Sequence, residues 1–78
     1  MTKIKLKKKI KNILSIFFKK KAKFFSMNNI ETWDSLNHLK LMILLQKTFK
    51  INLNSNQIAT ATDEKKILAV VTKKIYQK

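Results

Sequence analysis

Apolar residues recur at steps of three and four along most of the chain. Leu6, Ile10, Ile13, Leu14 and Phe17 draw one face of an amphipathic helix, and Lys5, Lys7, Lys8, Lys9 and Lys11 lie largely around the other. Lys19, Lys20, Lys21 and Lys23 interrupt that stripe, so the first helix is expected to end there or to turn its face. Ser26, Met27, Asn28 and Asn29 read as a loop, with Ile30 and Trp33 anchoring it onto the bundle. A second helix is expected over 35–50. It is apolar at Leu36, Leu39, Leu41, Met42, Ile43, Leu44 and Leu45, more than one stripe needs. The surplus is expected to be buried on several sides of the helix, to line a pocket or to meet a partner. Ile51 and Leu53 continue through a connector, and Asn54 or Ser55 caps a short helix over 56–59. Thr60 or Thr62 is then expected to cap a last helix. Ile67, Leu68, Val71 and Ile75 form its buried stripe, Tyr76 lies at the bundle edge, Asp63 and Glu64 fall in its first turn, and Lys73, Lys74 and Lys78 lie near its end.

Composition narrows the architecture. The 78 residues make one small domain, and chains of this size bury only about 60% of the surface they expose when unfolded. A hydrophobic content of 45% suits a helical bundle. With no Gly and no Pro, most tight-turn chemistry is missing, which favours helices joined by Asn, Ser and Thr over hairpins. The fold class expected is all-α.

The same inventory excludes most catalysis. There is no Cys, and His38 is the only His, read as a plain exposed side chain one turn beyond Ser35. The four carboxylates, Glu31, Asp34, Asp63 and Glu64, fall in two separated pairs. That leaves no protein-only metal site and almost nothing for general acid-base work, so the chain is not expected to be an enzyme. All 18 basic residues are Lys, and the formal charge is +14. Lysine is a hydrated point charge without the planar fork that reads guanine edges, so sequence-specific nucleic-acid reading is not expected. Attraction to anionic surfaces stays open. Residues 1–25 hold ten lysines and no acid. They read either as the solvated face of a core helix or as a contact for an anionic membrane surface, for an acidic partner or, non-specifically, for nucleic acid, helped by Phe17, Phe18, Phe24 and Phe25. The apolar run 13–18 is too short for a secretory signal and is broken by Ser15. No segment approaches the ~20 apolar residues of a transmembrane span, and a cytoplasmic protein is expected.

One triplet gives the second helix a possible chemistry. Asp34-Ser35-Leu36 opens the long apolar segment, and a hydroxyl at a helix start can cap a free backbone N–H. An anion attached there would face unpaired N–H groups and the positive end of the helix dipole, so a phosphate ester on Ser35 would be stabilised.

Over 33–75 the chain resembles the acyl carrier protein family. The likeness rests on the Asp34-Ser35-Leu36 triplet, the apolar helix closing on Phe49, Ile51 and Leu53, the short stretch at Ile58, the Thr60/Thr62 turn and the last apolar helix. It implies a four-helix acyl-carrier-protein-like bundle with a short third helix, formed by 1–78 as a single domain with 1–25 as its Lys-rich first helix. It also implies a 4′-phosphopantetheine arm from coenzyme A on Ser35, with Asp34 recognised by the phosphopantetheinyl transferase. The arm would carry an acyl or aminoacyl group as a thioester between enzymes, as in fatty-acid and lipid metabolism. Leu36, Lys40, Ile43 and Lys47 would meet those partners. The chain departs from the family in two places. Glu31-Thr32-Trp33 leads straight into Asp34, where the family has a longer loop that often carries a Gly. Lys40, Gln46 and Lys47 stand where the family usually has Glu, which implies dedicated partners with acidic docking surfaces.

Overall fold

A computed structural model describes residues 3–76, which form an all-α bundle of four helices in chain order. They are α1 (Lys3–Phe18), α2 (Ser35–Phe49), α3 (Ser55–Thr60) and α4 (Glu64–Tyr76). Lys78, expected near the end of α4, lies outside the described residues. The stripe of α1 enters the core as expected: Leu6, Ile10 and Leu14 are buried, and Ile13 and Phe17 pack against them in part. From α2 come Leu41, Met42 and Leu45, and from α4 Ile67 and Val71. Phe25, Ile30 and Trp33 of the connection between α1 and α2 complete the same core, so the anchoring expected of Ile30 and Trp33 is present.

Without glycine, the chain ends its helices by other means. At the end of α1, Lys19 takes a left-handed backbone (φ 52°). The N–H of Lys20 then donates to Ser15 O at 3.1 Å and that of Lys19 to Ile16 O at 3.3 Å. This pair of bonds is the Schellman closure, with lysine where glycine usually sits. Lys50 takes the same left-handed backbone after α2 (φ 54°, ψ 49°), and there Gln46 O accepts from both Lys50 N–H and Ile51 N–H, the latter at 3.0 Å. The first helix therefore ends at the lysine run instead of turning its face. A side chain at positive φ costs roughly 1–2 kcal/mol, part of which glycine gives back through its freedom when unfolded. Lys19→Gly and Lys50→Gly are each expected to stabilise the protein by about 0.5–1 kcal/mol. A urea midpoint that falls in either variant would contradict this.

Caps mark the other ends. Asn54 and Gln57 form a reciprocal capping box at α3, with Gln57 N–H to Asn54 Oδ1 at 2.8 Å and Asn54 N–H to Gln57 Oε1 at 3.0 Å. At α4 neither Thr60 nor Thr62 caps. Asp63 Oδ1 accepts from Lys66 N–H at 2.7 Å instead, and the Thr60 hydroxyl turns back to Asn56 O at 2.9 Å.

The start of α4 is also tied to the long connection 19–34. Ser26 and Asp63 form an isolated antiparallel bridge, Met27 N–H donates to Thr62 O at 3.0 Å, and Glu64 N–H donates to Phe25 O at 2.8 Å. The carboxylate of Glu64 returns the contact, accepting from Phe25 N–H at 3.0 Å. Its other oxygen pairs with Lys11 Nζ of α1 at 3.4 Å. Glu64 is thus a buried joint between α1, the connection and α4, as well as an acid at a helix start. No helix among the described residues is long and apolar enough to cross a membrane.

Candidate functional site

The site expected at Ser35 is built by the residues on either side of it. Asp34 has an extended backbone (φ −97°, ψ −177°), and its side chain accepts from Asn37 N–H at 2.9 Å. Its carbonyl takes the His38 N–H at 2.8 Å. The cap is therefore Asp34, and Ser35, the first helical residue, is exposed and leaves the capping role to its neighbour. The N–H groups of Ser35 and Leu36 belong to the donors that a helix cannot satisfy internally. The Asn37 side chain holds the preceding turn, donating to Thr32 O at 2.8 Å.

Beneath this rim lies a polar contact in an aromatic stack. Trp33 is buried, and its indole Nε1–H donates to His38 Nδ1 at 2.9 Å. His38 Nε2 lies 2.6 Å from Ile58 O. An indole N–H can only donate, so Nδ1 is bare and the proton sits on Nε2, where it donates to the Ile58 carbonyl. Both ring nitrogens are in use. Phe18 stacks on Trp33 with ring centroids 5.0 Å apart, and Phe17 meets Phe18 edge-on at 4.9 Å. His38, at 8% exposure, is therefore not the exposed side chain expected from sequence. It ties the first turn of α2 to Trp33 on one side and to α3 on the other.

The outer face of α2 is unusual for a small bundle. Leu36, Leu39, Ile43 and Leu44 are 62%, 49%, 45% and 39% exposed, and Lys40 and Lys47 are exposed among them. The surplus apolar residues are neither buried on several sides nor turned inward around a pocket. Leu36, Lys40, Ile43 and Lys47 follow one another at steps of four, three and four, so the expected partner residues share one face. Beside the helix start, Phe17, Phe18, Lys19, Thr32, Asn37 and Lys40 line a shallow cleft of about 380 Å³. Lys19 and Lys40 make its rim cationic.

The chain matches no protein-family model and no curated protein.

Residues 3–25 divide differently from the amphipathic surface helix considered above. Leu6, Ile10 and Leu14 lie in the core, so the apolar stripe of α1 is not available to a bilayer. What α1 and the following turn present outward is lysine, with isolated exposure of Ile4, Ile16 and Phe24. Two buried polar supports, His38 and Glu64, were not expected as such from the sequence. A signal for each existed: His38 is in phase with Leu41, Met42 and Leu45, and Glu64 with Ile67 and Val71. A polar residue in phase with a buried stripe is itself a sign of burial with partners.

Proposed function

We propose that this protein is an acyl carrier, holding an acyl or aminoacyl group as a thioester on a 4′-phosphopantetheine arm attached to Ser35. The observation that carries the reading is the division of labour at the start of α2. Asp34 performs the cap, and the Ser35 hydroxyl stays exposed on a helix start fixed by Trp33 and His38. A phosphodiester at that oxygen would meet the remaining first-turn N–H groups and the positive end of α2. The transferase would deliver the arm from coenzyme A to Ser35 and recognise Asp34 beside it. The bundle then acts as a rigid mount, and the tether raises the effective concentration of the cargo at each docked enzyme.

The outer face of α2 supplies the partner contact in this reading. Leu36, Leu39 and Ile43 offer apolar surface next to the attachment point, and Lys40 and Lys47 set its sign. A matching enzyme would present an apolar groove rimmed by carboxylates, and an enzyme adapted to an acidic carrier would be repelled. Work within cytoplasmic lipid metabolism fits such a delivery role.

The experiment is incubation of the protein with coenzyme A and a broad-specificity phosphopantetheinyl transferase, read by intact mass. The parent is expected to gain one phosphopantetheine and Ser35→Ala none. A gain that persists in Ser35→Ala would sink the assignment.

A further inference from the structure

The cleft between α1 and α4 has an unbalanced charge and an apolar floor. It encloses about 410 Å³, within the range of about 300–1,000 Å³ typical of small-molecule sites. Phe24, Leu68 and Ala69 provide the apolar floor, and Lys7, Lys11, Lys23 and Lys65 line it with them. One acid, Glu64, reaches the cleft, and both its oxygens are engaged, one by Phe25 N–H and the other by Lys11. Lys11 also donates to the Lys23 carbonyl. The acid that would repel an anion is thus already neutralised in the wall. Among the described residues, Lys7, Lys23 and Lys65 have no carboxylate partner. Phe25 is buried beneath, whereas Phe24 is 42% exposed, which leaves the floor open to a ligand.

We propose that this cleft binds a single-chain amphiphile with a phosphate-monoester head. Three uncompensated ammonium groups suit a head carrying about −1.5 to −2 charges near neutrality better than they suit a single carboxylate. Lysine serves such a head as a point charge with rotatable donors, without the bidentate geometry that would demand arginine. The head by itself gains little, because exposed cations are screened by salt. The chain by itself meets only the small floor of Phe24, Leu68 and Ala69. Head and chain together define the ligand class. The site uses no residue of α2, so it stands or falls independently of Ser35.

The test uses the full chain with three separate probes: decyl phosphate below its micellar concentration, inorganic phosphate and decyl maltoside. Calorimetry is expected to find one decyl phosphate per chain, with either other probe at least about 10-fold weaker. Amide shifts should concentrate at Phe24, Leu68 and Ala69. Lys7→Gln with Lys65→Gln, its fold checked by circular dichroism, should weaken decyl phosphate by about 10-fold or more. Lys47→Gln with Lys73→Gln removes the same charge elsewhere and should change it by less than about 2-fold. Equal losses in the two double variants would mean attraction to net charge alone and would overturn the proposal. Equal binding of inorganic phosphate or decyl maltoside, or shifts spread evenly over the molecule, would overturn it as well.

Discussion

Glu64→Ala is expected to destabilise the protein by about 3 kcal/mol, chiefly by leaving the buried Phe25 N–H without an acceptor. The carboxylate joins α1 to the connection and to its own helix. Its contact with Lys11 contributes the smaller share, because that lysine is 38% exposed and regains water when the acid is removed. Domains have roughly 0.05–0.15 kcal/mol of stability per residue, so a loss of this size is a large fraction of the total. At about 4–8 °C per kcal/mol, the melting temperature should fall by about 12–24 °C. Glu64→Gln keeps an oxygen for Phe25 and should cost only about 1 kcal/mol. Equal destabilisation by Ala and Gln would show that the ion pair, and not the backbone contact, dominates.

The second large effect is expected at His38. In His38→Leu the buried indole N–H of Trp33 and the Ile58 carbonyl lose their partner together, at a cost of about 2–3 kcal/mol. Trp33 is the sole tryptophan, so its emission reports on the same event and should shift as the ring loosens beside Phe18. His38→Gln can accept from the indole with its oxygen and donate to Ile58 with its amide, and should retain part of the stability. A Leu variant as stable as the parent, with unchanged emission, would mean that the contact does not hold the start of α2.

Both effects fall on polar residues in phase with apolar stripes, which is where sequence reading met its limit. Leu6, Ile10 and Leu14 were legible because an uninterrupted stripe among lysines has only one plausible inside. The short helix was legible through Asn54 and its chemistry as a cap. On α2 the count of apolar residues revealed a surplus but not which face is covered, since Leu36, Leu39 and Ile43 are as apolar as Leu41, Met42 and Leu45. The tertiary partners of α2 made that choice. The cap of α2 is Asp34 and not Ser35, a choice the sequence leaves open because both side chains are competent acceptors and only backbone geometry separates them. Glu64 looked like a dipole acid because the connection that reaches back to it pairs through backbone atoms, which carry no sequence signature.

For the attachment of the arm to Ser35, the most direct measurement is on the protein recovered from the cells that naturally make it. Trypsin cleavage after Lys23 and Lys40 releases residues 24–40 as one peptide containing both Ser26 and Ser35. Tandem mass spectrometry is expected to find phosphopantetheine on this peptide, with fragments that place it on Ser35. Recovery of the peptide only in unmodified form, or with the group on Ser26, would contradict the carrier assignment.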